Sequence, residues 1–558
     1  MSKKRNRKDT KRPVAPEVDK HTGVDKAVTQ TAEQRVGGGG RASGIDKGAF
    51  TVLLERATVC YIALPAFIFI LGHLRPVWSL PCAVLLLAAV WFYFKNSAKF
   101  PPGERTSDLI PLPSVISFRH IALCLFVAFA VSSLFGAGGW GYQTYDWHKH
   151  NAMLQYLTIE DWPVRIEAEG AWHTLVYYTG YYLPASLAGK LFGMPVANQA
   201  LFVWTVLSVF LSLLWMFVFS RTTAKWIIVL FFLFSGLDLV GAFISGGKRN
   251  VLGAEADFFY HLEWWSKVPG PAKQIPSNLV GINWLPQHAL SSWLITALLM
   301  NDIARGNSVR RCVFLASIGI LWSVMTAFGV AVFSALWWFM KIREPGEWRR
   351  PLTAVENLCV LPFLFCILAY LRSGEYTREF EFLSGERALF FPLFVLLEFG
   401  LLWGVIFAAN RRLKIDKGWS LLGEDMERMF LISLLALCAL FWLEDGDIQK
   451  NSSILFMFIL MLAAVRMLES RELIESSEGF RRMAGFVIVL LSVGAWTPFV
   501  EINTTFKMIH ERGSWRTEVK PESMVNNPYI ATRQYLGNLD SFFSRHIARR
   551  RGGGEARP

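Results

Sequence analysis

Residues 312–340 read CVFLASIGILWSVMTAFGVAVFSALWWFM, an apolar run bracketed by Arg310 and Arg311 on one flank and by Lys341 and Arg343 on the other. An α-helix rises about 1.5 Å per residue, so about 20 apolar residues cross a hydrocarbon core of roughly 30 Å. The run is too long for one upright helix. Basic residues gather on the cytoplasmic side of membrane helices, and here they flank both ends of the same run. That pattern predicts a tight hairpin of two short helices.

Similar apolar stretches centre on 58–74, 77–94, 117–137, 196–219, 226–246, 286–302, 352–371, 389–410, 428–443, 453–468 and 483–499. Backbone groups in lipid must be bonded within the chain, so runs of this length are helical. The expected fold is all-α: a polytopic transmembrane bundle of about 13 crossings with juxtamembrane loop helices. Composition agrees, with 53% hydrophobic residues, 18% charged residues, 44 Phe and 22 Trp in 558 residues. Three regions follow: a basic tail over 1–48 expected to be disordered, a membrane domain over 49–499, and a polar tail over 500–558.

The net charge of +13 does not indicate nucleic acid. Much of the excess sits in the first fifty residues, beginning MSKKRNRKDTKR, and in short loops, without a basic fold to present it. The seven cysteines show no metal-type spacing, and Cys60, Cys82, Cys124, Cys359, Cys366 and Cys438 fall in apolar runs, where a cysteine behaves as a small hydrophobe. The long polar N-terminus leaves no cleavable signal peptide to recognise.

The basic connections, including 95–119, 221–225, 305–311, 341–350, 411–417 and 466–482, are consistent with a cytoplasmic location, together with the N-terminus. The segments 138–195, 247–285, 372–388, 444–452 and the tail from 500 then face outward. Counting 173–192 (HTLVYYTGYYLPASLAGKLF) as a crossing would invert every later loop. It is therefore expected to form an interfacial helix with Tyr177, Tyr178, Tyr181 and Tyr182 at headgroup depth.

The polar residues that stand out lie in these outer segments. The stretch 145–164, YDWHKHNAMLQYLTIEDWPV, follows a glycine-rich exit from the third crossing. Asp146 sits there at a low-dielectric rim, where a carboxylate serves as general base or holds a divalent cation. In a helix it shares a face with His150, four residues on, and His148 lies between them. Capping of that helix is the plainer role for Asp146. Glu160 and Asp161, before Trp162 and Pro163, are candidate ligand contacts or simply a solvated helix end. In 247–285, Lys248 and Arg249 occur with Glu255, Asp257, His261, Glu263, Trp264 and Trp265, a mixture suited to a phosphate beside a sugar face. Pro286 is placed to start a helix at its first position, leaving Gln287 and His288 near free N–H groups that favour an anion. Asp238 is an intramembrane carboxylate and so a functional candidate. Asp447 and Lys450 stand in a short outer loop.

An acidic residue after an early crossing, a short helix, an acidic-Trp-Pro segment and a Tyr-rich interfacial helix together resemble the first outer loop of C-type (GT-C) glycosyltransferases. The fuller series YDWHKHNAM, DWPV, FSGLD, WLPQHAL and a late D…NSS segment also resembles a group of bacterial multipass proteins to which no activity attaches. The first resemblance implies a GT-C-like membrane enzyme that uses a polyprenyl-phosphate-linked sugar donor, with Asp146 as catalytic base or acceptor-orienting group. Its juxtamembrane platform would be 148–157 and 173–192. The acidic pair usual after the first crossing is replaced here by Asp-Trp-His-Lys-His after the third. Sugar transfer to an envelope glycan, lipid or protein on the outer face of a bacterial inner membrane is the expected function. Lys248, Arg249 and His288 would then stabilise the departing phosphate, with a divalent cation as candidate cofactor and membrane lipids as surroundings. A transporter or flippase of a lipid-linked or anionic substrate, using Asp238, is the alternative. A non-catalytic assembly factor is a third reading.

Overall fold

The computed structural model describes residues 44–97, 109–110, 115–245, 262–267, 273–375, 382–443, 446–525 and 527–550. It is nearly all-α. The helices are α1 (Lys47–His73), α2 (Pro76–Ser97), α3 (Phe118–Ser132), α4 (Trp147–Ile159), α5 (Leu183–Phe192), α6 (Met194–Phe219), α7 (Trp226–Leu233), α8 (Asp238–Ile244), α9 (Asn278–Trp284) and α10 (Pro286–Ala304). They continue with α11 (Cys312–Ile320), α12 (Val324–Lys341), α13 (Val355–Arg372), α14 (Gly385–Val395), α15 (Leu401–Lys417), α16 (Glu424–Phe441), α17 (Gly446–Glu469), α18 (Glu478–Gly494) and α19 (Trp496–Arg512). Among the described residues, nine helical segments are long and apolar enough to cross a membrane. Helices α3, α10, α11 and α16 are not among the nine.

The run over 312–340 does break into two helices, but only the first is short, since α12 has 18 residues and is one of the nine crossing-length segments. Helices α11 and α12 are separated by Leu321–Ser323, and Trp337 Nε1, near the end of α12, donates to Ser308 Oγ just before α11 at 2.8 Å. With only nine residues, α11 rises about 14 Å, roughly half a hydrocarbon core. The hairpin tip consequently stops inside the bundle, where Trp322 Nε1 donates to Ile62 O of α1 at 3.0 Å.

Helices α10 and α17 form the buried axis: every residue of α10 is buried, as is 94% of the apolar window of α17. Peripheral α2 instead shows Val77, Leu80, Val84, Leu87 and Trp91 at helical spacing, all exposed as a lipid-facing stripe. The basic connections meet at the end of the bundle where α1 begins. Lys47 Nζ donates to Ser220 O at 2.9 Å, Arg221 N to Glu469 at 3.0 Å, and Arg350 Nη1 to Gly306 O at 2.6 Å. Arg311, fully buried, lies 2.7 Å from Asp302, 3.3 Å from Glu356 and 3.6 Å from Glu55, while Arg305 reaches Glu55 at 3.2 Å. This ion cluster ties α1, α10, α13 and the start of α11 together.

The opposite end carries the long polar segments. A three-stranded antiparallel sheet forms there from β1 (Arg165–Ala168), β2 (Ala171–Leu175) and β3 (Leu536–Gly537), with Arg165 opposite Thr174 and Leu175 opposite Leu536. The expected interfacial helix over 173–192 is corrected by this sheet. Strand ends at Leu175, the Tyr-rich part 177–182 is a loop, and helix begins only at Leu183, where Pro184 fits the first turn. The loop descends to the hairpin tip, with Gly180 N donating to Leu321 O at 2.7 Å.

Candidate functional site

The glycine-rich exit from α3 places the site. Gly138 has φ +61°, and a Cβ there would lie 2.0 Å from Asn198 O, so the chain passes directly against the first turn of α6. The segment beyond it is pinned to α9: Trp147 Nε1 and Thr144 Oγ1 both donate to Asn283 O, at 2.9 and 3.3 Å. Trp147 is buried. Asp146 is the residue before α4, but its carboxylate makes no capping bond. Its Oδ2 accepts from Lys149 Nζ at 3.1 Å instead.

His150 is fully buried between two partners. Its Nε2 lies 3.3 Å from Trp284 O and its Nδ1 lies 2.5 Å from Tyr182 Oη. A carbonyl only accepts, so Nε2 carries the proton and the Tyr182 hydroxyl donates to Nδ1. Burial first, and the neighbouring Lys149 ammonium second, push the imidazole down to about 3, so it is neutral at physiological pH. Burial pushes the Asp146 carboxyl upward, but Lys149, His150 and Lys450 together outweigh it and hold the group below its ordinary value. Burial likewise opposes the Lys149 charge, and Asp146, Tyr535 and Tyr178 override it to keep the ammonium protonated. Both side chains remain partly accessible, 27% for Asp146 and 15% for Lys149. This charged pair, enclosed by protein yet reachable by solvent, is the centre of the candidate site.

Other segments complete its wall. His288, in the first turn of α10, pairs through Nδ1 with Ser323 Oγ at the hairpin tip, 2.7 Å away, and its ring lies 5.1 Å from that of Tyr178. Tyr178 contacts Tyr177 at 3.7 Å between centroids, and Tyr177 contacts Tyr535 at 4.9 Å. Asp447 and Lys450, 3.2 Å apart, lie within electrostatic range of His288, and Lys450 also of Asp146. They belong to the first turn of α17, which corrects the expected loop over 444–452. Pro286 does open α10. Beside it, Gln287 is fully buried, with neither end of its carboxamide hydrogen-bonded among the described residues. Such an orphaned buried group is uncommon.

Thus Asp146, His150, His288, Asp447 and Lys450 come together, with Gln287 adjacent to His288 in the chain. His148 stands outside this wall, paired with Glu522 at 2.9 Å and stacked on Tyr529 at 4.5 Å. Glu160 and Asp161 follow the far end of α4, about 20 Å along the helix from Asp146. Lys190 Nζ binds the Glu160 carbonyl there at 2.5 Å. Lys248 and Arg249, with Glu255, Asp257 and His261, lie outside the described residues. Asp238 belongs to a second cluster. Its Oδ2 accepts from Ser235 and Thr497, each at 2.9 Å, and Glu398 is within hydrogen-bonding reach. Glu398 Oε1 accepts from Trp265 at 2.6 Å, and buried Glu263 accepts from Gln274 at 2.6 Å.

Lys149, Ser323, Glu398 and Tyr535 add to the residues expected from the sequence. Lys149 lies within the DWHKH string and was visible there. Tyr535 reaches the recess only through the sheet formed by β3, which leaves no local signal. For the candidate divalent cation, no group of three His, Cys, Asp or Glu side chains converges in a ligating arrangement among the described residues. His150 already uses both ring nitrogens. Comparison with family models, with curated proteins and with solved structures finds no match.

Proposed function

We propose that the recess around Asp146 is the catalytic site of a GT-C-like membrane glycosyltransferase using a polyprenyl-phosphate-linked sugar. The supporting observation is that Asp146, ionised and bonded to Lys149 at 3.1 Å, lies within electrostatic range of Lys450 and Tyr535, while His288 lies within range of Lys149, Asp447 and Lys450. In this reading the acceptor hydroxyl attacks the anomeric carbon and the bond from that carbon to the phosphate oxygen breaks. Asp146 takes the hydroxyl proton, and the polyprenyl phosphate leaves with the electron pair. Lys149 and Lys450 are placed to offset its growing charge, together with the polar face of His288. The Tyr178 and Tyr535 rings supply the amphipathic surface that a sugar ring stacks on.

The test is lipid-linked sugar profiling in a deletion strain complemented with variants. Asp146→Asn should cut transfer by about 10²- to 10⁴-fold, so that the donor accumulates at unchanged protein level. A fully active Asp146→Asn variant would sink the reading. A second reading, movement of a lipid-linked or anionic substrate, is favoured by one feature. Asp238 follows the break between α7 and α8, and Glu398 sits in a π-turn, Leu396–Gly400, so two helices are interrupted where their carboxyls meet. Asp238→Asn should then abolish transport, whereas the transferase reading expects Asp238→Asn to retain transfer.

A further inference from the structure

The end of the described chain folds onto the turn between α1 and α2, a placement the proposed activity does not use. Leu74 bridges Ala548, Arg75 N donates to Ile547 O at 2.9 Å, and Arg549 N donates to His73 O at 2.7 Å. Arg75 Nε donates to Ala548 O at 2.8 Å and Trp78 Nε1 to His546 O at 3.2 Å. The tail contributes only backbone groups to these bonds. They therefore fix where its side chains stand without consuming them.

That place is the surface of the apolar slab. Helices α1 and α2 are both long and apolar enough to cross, and only Leu74 and Arg75 join them, so the turn sits at headgroup depth. The exposed stripe of α2 begins immediately below it at Val77 and Leu80. Phe542 is exposed and lies 6.2 Å from Phe365, itself exposed on α13, while Phe365 lies 5.8 Å from Trp78. Arg372 is two turns beyond Phe365 on the same face of α13 and is also exposed. Arg549 and Arg550 are exposed, and neither guanidinium has an ion-pair or hydrogen-bond partner among the described residues. Among the described residues, the Arg545 guanidinium is paired only with Asp540, at 3.0 Å. A cationic collar thus overhangs an aromatic and aliphatic wall that runs down α2 and α13.

We propose that this collar binds the headgroup phosphate of an anionic phospholipid, whose acyl chains lie along α2 and α13. Guanidinium groups match phosphate oxygens in charge and geometry, and aromatic rings favour the same depth. The continuous apolar wall below selects a lipid over a free anion.

The test titrates the full-length protein in detergent with phosphatidylglycerol and with phosphatidylcholine, and counts retained lipid by native mass spectrometry. The wild type should prefer phosphatidylglycerol. An arginine near an anionic surface contributes about fivefold, so the double variant Arg549→Gln/Arg550→Gln should lose roughly tenfold or more of that preference. Arg549→Lys/Arg550→Lys should keep most of it. Arg411→Gln/Arg412→Gln, at the opposite end of the bundle, should change nothing. The proposal fails if the Gln variant keeps its preference, or if the distant variant loses as much. It also fails if inorganic phosphate displaces the lipid, since the site would then hold a free anion. All variants should melt with the wild type, because the docking bonds use tail backbone.

Discussion

His150 ties the chemistry of the recess to its stability. It is held neutral by burial and by Lys149, with its proton on the nitrogen facing Trp284 O. The imidazole pKa falls from 6.5 to about 3 on folding, so the unfolded chain binds the extra proton between those values. Stability from this residue is therefore full above about 6.5 and is lost progressively as pH falls toward 3. From pH 7 to 4.5 the loss should be on the order of 2 to 3 kcal/mol, which an apparent melting temperature measured across that range would report. A His150→Asn variant should flatten this slope; an unchanged slope would place the titration elsewhere. Asp146 behaves differently. Its carboxyl lies below the ordinary value, so its contribution is present above that value and disappears only in stronger acid. Asp146 was legible in the sequence because position alone, after a crossing and a glycine run, made it unusual. Its partner Lys149 was not chosen, because a lysine in a polar loop has no distinguishing local pattern until the helix brings it beside the carboxylate.

At the scale of elements, the glycine exit and the buried ion cluster do the positioning at opposite ends. Gly138 combines φ +61° with a backbone oxygen 2.0 Å from where its Cβ would be. Gly138→Ala should therefore cost at least about 2 kcal/mol and displace α4, because left-handed backbone alone costs an L-residue about 1 to 2 kcal/mol. Reduced yield and a lowered melting temperature check this, while a normal fold would mean that the turn can relax. Arg311 is the counterpart at the other end, facing Asp302, Glu55 and Glu356 from a fully buried position. Arg311→Gln leaves Asp302 without an ion pair among the described residues and Glu55 and Glu356 with only Arg305 and Arg310, and should cost about 3 to 5 kcal/mol. Thermal unfolding in detergent would show it, and a loss below 1 kcal/mol would mean that Arg305 and Arg310 suffice. The hairpin over 312–340 was readable because its signal is local: an apolar run with basic residues on both flanks. The 173–192 segment misled because its apolar and tyrosine content fits a buried loop running between a strand end and a helix as well as one helix on a membrane. The sheet partner that settles it, β3, lies more than 300 residues away in sequence. Asp447 and Lys450 were misassigned to a loop for a related reason, since polar residues at the first turn of a buried helix look like the loop before it.

For the whole molecule, hydropathy made the helical class legible, whereas the recess depends on contacts that no window of sequence contains. The expected grouping of basic connections corresponds to a shared end of the bundle, marked by the contacts of Lys47, Arg221, Arg305 and Arg350. The recess, the three-stranded sheet and the returning tail occupy the other end. If basic residues mark the cytoplasm, the recess opens outward, toward substrates carried on the outer leaflet. Glu167 is exposed on β1, and Asp416 is 55% exposed near the end of α15, at the basic end. In intact cells, an impermeant maleimide should label Glu167→Cys at once and Asp416→Cys only after permeabilisation, with the background of the seven native cysteines subtracted using the parent protein. The reverse pattern would place the recess inside and remove the basis for an outer-face reaction. Equal labelling of both without permeabilisation would put both positions on one side of the membrane. That result would contradict the contacts that separate β1 from the basic end, since α13 runs its full length between Glu356 in the ion cluster and Tyr370 against Leu175 of β2. Its 18 residues span about 27 Å, close to the thickness of the hydrocarbon core, so the two positions belong on opposite faces.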